Sequence, residues 1–355
     1  MMSKRVAIQR ARGFLADAGP AESGVLEAEA VVYLAQQLSD AIRVSTEGKK
    51  TRPSRSSCSQ LALQVLLTAL GLRRAALVDA LSLTPAQARA VGSKLKAINE
   101  DGSSSEAEAL GHVCLLFHAP SSQTFVVSTR AELWSDANSP TVWVDCRAGP
   151  KHASPNLIEP DSHVTSLITA VHDAVLACGP ADALIIPFPT TEEPTELDSL
   201  HSEAQLVGIA LAGFLLEYAA VYCLHNTSSL ADVNNLRYNI RPLQVTDLPH
   251  ADVEFTSSPK NSLASQPLVL FRVTWIRQTS LASSHASNLE LLAFSIPQSL
   301  ATKFDPGNVR SDLEITFQSR LRSIGSNFTS PFAKLLASGS ISFETNTVTL
   351  PQVAL

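Results

Sequence analysis

Four side chains in this 355-residue chain combine a reactive group with a position at or near the end of a predicted strand: Asp79, His118, Asp145 and Cys146. In open α/β sheets, ligands bind beyond the carboxyl ends of the strands. Asp79, His118 and Asp145 therefore predict the lining of one pocket, of the kind that a hydrolase or a transferase needs. Asp79 ranks first, because a carboxylate within an apolar strand is costly to bury without a partner. The alternative is a set of structural, hydrogen-bonded side chains.

Cys146 is the best candidate for a nucleophile. It follows Asp145 at a predicted strand end, and the neighbouring Arg147 would favour its thiolate. The alternative is a structural thiol in the core. The chain has no Gly-x-Ser-x-Gly turn of a serine hydrolase and no glycine-rich phosphate loop, so no complete catalytic motif accompanies these residues.

A second group of polar residues resembles a metal-binding cluster at first sight: Glu159, Asp161, His163, His172 and Asp173. The two histidines are nine residues apart on one predicted helix, so they project in opposite directions and cannot share an ion. Acidic residues near the start of a helix are explained by its dipole. We therefore predict neither a metal site nor a cofactor.

The charge distribution limits the kinds of partner that the protein can bind. The net charge is −6, and residues 152–236 contain eleven carboxylates but no lysine or arginine. Binding to phosphate groups depends on clustered basic side chains, so we predict that the body of the protein does not bind nucleic acid. The acidic loop at residues 192–198 is a possible contact for a basic protein, and the alternative is a merely solvated loop.

Five cysteines, spaced 32 to 56 residues apart, form no CxxC pair. They predict reduced core thiols and a cytoplasmic location. The alternative is mitochondrial, because residues 1–16 have four cations and no acid. The apolar run at residues 206–224 is long enough to be tested as a membrane span, but Glu217 interrupts it. We predict a buried helix that leads into a central strand, and no membrane span.

Hydrophobic periodicity and turn residues predict the elements that would position these side chains. Short apolar strands alternate with helices, and their continuous apolar character implies cover on both faces. The predicted fold class is α/β, with a mixed, largely buried sheet flanked by helices and a helical N-terminal extension. A polar, basic stretch at residues 45–59 separates residues 1–56, a basic helical extension and loop, from a single α/β domain at residues 57–355.

Five segments carry a resemblance to a known family: LGLRRAALVDALSLTP, DALIIPFP, VYCLHN, SQPLVLFRV and ELLAFSIPQSL. They resemble an uncharacterised open-reading-frame family of animals whose human member is named after its chromosome 1 position. The resemblance covers roughly residues 66–300, and the polar loop at 277–288 and the basic N-terminus depart from it. It implies an intracellular protein of unknown function and assigns no active-site residue.

The sequence leaves two functions from different classes open. A large core without a convergent catalytic set favours a protein-binding factor, either an adaptor or an assembly partner, without catalytic activity. The alternative is a hydrolase or transferase with its pocket at Asp79, His118 and Asp145. A deep polar cleft joining those residues would favour the enzyme.

Overall fold

The computed structural model describes residues 28–44, 53–102, 106–135, 142–147, 154–160, 162–179, 182–187, 197–224, 240–244, 247, 261–277 and 288–349. Several features predicted from the sequence lie outside these residues. They are the basic segment at 1–16, most of the polar linker at 45–59, most of the acidic loop at 192–198 and most of the loop at 277–288.

Helices occur throughout the described part of the chain. Their bounds are α1 Glu29–Val44, α2 Arg55–Ala69, α3 Pro85–Asp101, α4 Ala107–Leu110, α5 Ala131–Ser135, α6 Ser162–Ala177, α7 Leu197–Leu215, α8 Pro306–Asn327 and α9 Pro331–Ala337.

The strands lie between these helices, some singly and some in runs. Their bounds are β1 Ala75–Leu77, β2 Val113–His118, β3 Gln123–Ser128, β4 Val142–Asp145, β5 Asn156–Ile158, β6 Ala183–Ile186, β7 Ala220–Cys223, β8 Arg241–Pro242, β9 Pro267–Ile276, β10 Asn288–Pro297 and β11 Ser340–Thr349.

The α/β fold class with mixed sheets is confirmed, but the strands form three sheets in the described residues. The largest has the order β1-β3-β2-β6-β8, with β2 and β6 parallel and the other neighbours antiparallel. A second has the order β5-β4-β7, with β4 and β7 parallel. The third, β10-β9-β11, is entirely antiparallel and contains the β9 and β10 pair that the sequence predicts.

Helix starts follow local capping chemistry. At α3, the hydroxyl of Thr84 accepts from the backbone N–H of Gln87, whose side chain accepts in return from the Thr84 N–H, and Pro85 occupies the first helical position. At the starts of α2 and α9, the hydroxyls of Ser54 and Ser330 accept from the backbone N–H groups of Ser57 and Ala333. These helix starts are therefore encoded within a few residues of sequence.

The first described helix is part of the core. On α1, Leu34, Leu38 and Ile42 are buried and belong to one apolar cluster with the buried face of α2. The segment predicted as an extension thus contributes a packed helix, and the boundary at residue 56 stays a prediction.

The apolar run at residues 206–224 divides into a helix and a strand, as predicted. Helix α7 ends at Leu215 and β7 begins at Ala220. Glu217 occupies the turn between them with φ of 61°, a left-handed conformation that is uncommon for a residue with a side chain. Strand β7 lies at one end of the described β5-β4-β7 sheet rather than at its centre. None of the described helices is long and apolar enough to cross a membrane.

The third sheet is anchored to the helices that follow it. Trp275 on β9 is fully buried, and its indole N–H donates to the carbonyl of Leu336 on α9 at 2.9 Å. Gly339, just before β11, lies against this ring. A Cβ atom there would be 2.1 Å from the Trp275 Nε1 atom.

This contact generates a test of the third sheet. We expect Gly339→Ala to destabilise the protein by about 3 kcal/mol or more, because neither the indole nor the backbone has room to move. Gly102→Ala is the matched control. Unlike Gly339, Gly102 has a positive φ, 59°, but a Cβ atom there meets nothing within 4 Å, so the cost of its substitution is about 1 kcal/mol of backbone strain. Urea unfolding measures both, and equal losses would contradict the packing described.

Candidate functional site

Glu217 is the centre of a buried ionic cluster. Its side chain is 18% exposed, and the Arg320 guanidinium of α8 donates to both carboxylate oxygens, at 2.8 Å for the Nη1 to Oε2 pair. The backbone N–H of Arg74, just before β1, donates to Oε2 at 3.1 Å. The turn after α7 is thus connected to α8 and to the first strand of the largest sheet.

The charges in this cluster determine its protonation. Burial opposes the charged form of Glu217, but Arg320 and Arg74 more than offset it and lower the pKa of Glu217 to about 2. The Arg74 guanidinium lies over the Trp134 and Phe214 rings, 5.5 and 5.3 Å from their centroids. Its Nε donates to the Leu133 carbonyl at 2.9 Å. These contacts hold Arg74 in place beside the carboxylate.

A cavity of about 260 Å³ lies next to this cluster. Polar lining residues come from four parts of the chain: Gln64 of α2, Arg73 and Asp79 on either side of β1, Tyr218 of the α7–β7 turn and Glu290 of β10. The largest sheet, β7 and the third sheet therefore all approach this space.

Arg73 connects the cavity to an irregularity in β10. The strand register shifts between Glu290 and Leu292, which is a β-bulge, and Arg73 Nη2 donates to the Glu290 carbonyl at 2.8 Å. The Glu290 carboxylate lies 3.0 Å from Arg272 Nε. Burial lowers the pKa of Arg73, while the nearby acidic groups, including Glu290, act in the opposite direction. The guanidinium is thus a charge with little solvent around it.

Two buried polar atoms at the cavity have no hydrogen-bond partner within the described residues, Arg73 Nε and Gln64 Oε1. The other end of the Gln64 amide is engaged. Its Nε2 donates to the Leu77 carbonyl at 2.9 Å and approaches Asp79 Oδ1 at 3.4 Å. The wall of the cavity therefore contains an incompletely paired donor and acceptor, both shielded from solvent.

The structure corrects the placement predicted for Asp79. Strand β1 ends at Leu77, and Asp79 is exposed beyond it rather than enclosed in the strand. It does line a cavity, as the sequence predicts, but neither His118 nor Asp145 lines the same one.

His118 is at the end of β2, in the same sheet as β1, and is buried. Its Nδ1 is 2.6 Å from the Ser121 hydroxyl oxygen, and burial lowers its pKa to about 3, so the ring is neutral. Helix α7 covers it closely at Gly208, where a Cβ atom would lie 2.7 Å from His118 Cε1. The geometry is that of a structural histidine.

Asp145 belongs to a different sheet from the other two candidates. It ends β4 in the β5-β4-β7 sheet. Its Oδ1 accepts from the backbone N–H of Arg147 at 3.0 Å and from Arg147 Nε at 2.9 Å. Asp145 thus fixes the chain just after β4. The described structure therefore does not bring the three residues to one cavity, because the strands that carry them belong to different sheets, which a single sequence does not show.

Cys146 is not placed as an activated nucleophile. The residue is fully buried, and burial raises the pKa of its thiol, with further contributions from Cys223 and Asp145. The Arg147 guanidinium, expected to favour the thiolate, instead pairs with the Asp145 carboxylate at 2.6 Å. The structural interpretation of Cys146 fits this geometry.

The described residues contain no group of three or more histidine, cysteine or acidic side chains that could hold a metal ion. His172 Nδ1 lies 3.0 Å from Asp173 Oδ1, and its ring packs edge-on against Trp134. Asp161 and the side chain of His163 lie outside the described part of the chain.

Comparison with protein families, curated proteins and solved structures finds no match for this chain. The ionic cluster and the cavity therefore rest on geometry alone. Sequence reasoning noted Glu217 only as an interruption of an apolar run and did not single out Arg73, Arg74 or Arg320. The sequence did contain one signal for this cluster, the charge of Glu217, because a carboxylate inside a buried apolar run needs a cationic partner.

The thiol environments predict an order of chemical reactivity. Cys178 is partly exposed, and a hydrogen bond with Cys114 lowers its pKa against the opposing effect of burial. We expect iodoacetamide to label Cys178 first and Cys146 last on the folded protein, measured by peptide mass spectrometry. All five cysteines should label together in urea. Rapid labelling of Cys146 in the native state would restore it as a nucleophile.

The depressed pKa of Glu217 predicts a specific pH dependence. The stability that it contributes is fully present above its ordinary pKa of 4.5 and is lost as the pH falls toward about 2. A shift of this size corresponds to about 3 kcal/mol. We expect Glu217→Gln to be less stable than wild type at neutral pH and to lose less stability on acidification.

The measurement is chemical unfolding at a series of pH values, with Glu108→Gln as the control for an exposed carboxylate on α4. Parallel stability curves for wild type and Glu217→Gln would show that the Glu217 charge is not coupled to folding.

Proposed function

We propose that this chain is a protein-binding factor, an adaptor or assembly partner, that receives an extended segment of another protein along β11. The observation that supports the proposal is the outer edge of this strand. β11 is ten residues long and pairs with β9 without a register shift. Within the described residues, β9 is its only strand partner. An open strand edge offers a row of backbone donors and acceptors to a further strand.

The register indicates which residues of β11 face this edge. On the far side of the sheet, Arg73 and the Tyr222 hydroxyl donate to the carbonyls of Glu290 and Ser295, at 2.8 and 2.6 Å, so these carbonyls point away from β9. Peptide groups alternate in direction along an antiparallel ladder. Through β9, this alternation directs the backbone N–H and C=O groups of the odd-numbered β11 residues toward the open edge. These outward residues are Ile341, Phe343, Thr345, Thr347 and Thr349.

The composition of β11 also favours pairing. Proteins commonly protect an edge strand with lysine, proline or a bulge. β11 has no lysine or proline, and its one charge, Glu344, lies 3.9 Å from Arg272 of β9. Its outward residues are β-branched or aromatic, the types that form favourable cross-strand pairs. We therefore expect the partner segment to be extended and rich in β-branched and aromatic residues.

The setting that we propose is the cytoplasm. None of the five cysteines, all of which the structure describes, forms a disulfide, and four of them are buried, as is usual in a reducing compartment. The enzyme alternative has no specific observation in its favour, since Asp79, His118, Asp145 and Cys146 do not converge in the described structure.

A cross-linking experiment tests the binding edge directly. A photoreactive benzoylphenylalanine in place of Thr347 should trap the partner in living cells, and mass spectrometry should map the cross-link to an extended segment of another protein. Thr345→Pro, which removes an outward N–H, should abolish capture, while Thr345→Val, which retains the N–H and the β-branched side chain, should not.

Circular dichroism must first show that the two Thr345 variants are folded. Unchanged capture by Thr345→Pro would contradict the proposal. A cross-link to this same chain, with a dimeric mass in light scattering, would also overturn it, because the edge would then serve self-assembly.

A further inference from the structure

We propose that the cavity beside β1 binds a free α-amino acid with an apolar side chain, its carboxylate beside Arg73 and its ammonium group beside Gln64 and Asp79. The site is separate from β11 and does not depend on the proposed protein-binding function. Nothing in the sequence had singled out Arg73 or Gln64.

The first support is the pairing deficit in the cavity wall. Within the described part of the chain, Arg73 Nε is a donor without an acceptor and Gln64 Oε1 is an acceptor without a donor. Both residues line the same space, and the two atoms lie just behind its surface. Buried polar atoms are rarely left unpaired, because each costs about 1–3 kcal/mol. A ligand that carries both an acceptor and a donor would complete both, after a small adjustment of these shielded side chains.

The orientation of the Gln64 amide is fixed by its neighbours. Its Nε2 donates to the Leu77 carbonyl at 2.9 Å. Reversing the amide would place Oε1 against that carbonyl oxygen and the Asp79 carboxylate, which cannot donate to it. The unpaired atom is therefore an acceptor, and it requires an N–H or O–H group from a ligand.

Among the described residues, the ion pairs around the cavity do not include Arg73. The guanidinium groups in and behind the wall belong to Arg73, Arg74, Arg272 and Arg320, and the carboxylates facing them belong to Asp79, Glu217, Glu290 and Glu344. Glu217 is occupied by Arg74 and Arg320, and Glu290 by Arg272. Arg73 is thus the cation available to a carboxylate, and exposed Asp79 is the anion available to an ammonium group.

The volume of the cavity and its apolar lining indicate what kind of side chain the bound amino acid carries. At about 260 Å³ the cavity is just below the usual range for drug-sized ligands, which suits a single amino acid. Leu77, Leu216 and Phe317 line its apolar part. An aliphatic side chain would pack there without leaving a polar group buried.

Specific contacts fix the backbone around the cavity. Glu217 keeps its left-handed conformation through two arginines, and the bulge in β10 brings the Glu290 carbonyl to Arg73. Strained residues and bulges concentrate where a protein binds ligands. A preformed wall lowers the entropy that binding must overcome.

The test uses each of the twenty proteinogenic L-amino acids, added singly at millimolar concentration to the full chain. Leucine, isoleucine, valine or methionine should raise Tm in a concentration-dependent way, and L-leucinamide, which lacks the carboxylate, should not. By calorimetry, Asp79→Asn and Gln64→Leu should each weaken the binding by at least about tenfold. Asp101→Asn, an exposed carboxylate at the end of α3, should leave it unchanged.

Two results would overturn the inference. If none of the twenty amino acids changes Tm, the cavity does not bind a free amino acid. If an amino acid binds but its affinity is unaffected by Asp79→Asn and Gln64→Leu, its site lies elsewhere. Because Asp79 is exposed, its variant should fold normally even if Gln64→Leu does not.

Discussion

The described structure depends on the carboxylate of Glu217. It lies in the turn from α7 to β7, and its partners, Arg74 and Arg320, are 143 and 103 residues away in sequence. Arg74 leads into β1 of the largest sheet, and Arg320 belongs to α8, whose buried residue Leu321 packs in the same core as Trp275 of the third sheet. One anion thus joins the start of β1 in the largest sheet, the turn into β7 and helix α8, which packs in the same core as the third sheet. Leaving either side of such a pair uncompensated typically costs about 3–5 kcal/mol.

The same cluster explains the location of the cavity. The left-handed backbone of Glu217 turns the chain so that Tyr218 faces the cavity, where Arg73 reaches the bulge of β10. The negative charge of Glu217 is balanced by Arg74 and Arg320. The positive charge of Arg73 is only partly balanced by the acidic groups near it. The protein-binding edge proposed at β11 lies across the same sheet, on the side away from this bulge. A small ligand and a protein partner would therefore use opposite edges of one three-stranded sheet.

Local sequence signals predict the elements well. The Thr84 and Pro85 pair marks the start of α3, the β9 and β10 strands show their alternation, and the change at Glu217 separates α7 from β7. Strand grouping is not encoded locally. Continuous apolar strands such as β2 and β4 indicate cover on both faces, but they do not specify which strands become neighbours. One sheet was therefore expected, whereas the described strands form three. Asp145 and His118 were grouped for the same reason.

The ionic cluster was beyond sequence reasoning because its partners meet only in the folded chain. A double-mutant cycle therefore tests the central role of Glu217 most directly. Unfolding free energies are measured for wild type, Glu217→Gln, Arg320→Met and the double variant. We predict a coupling energy of about 2 kcal/mol or more, since each single change leaves a buried partner uncompensated. A coupling below about 0.5 kcal/mol, with the two effects simply additive, would contradict that role.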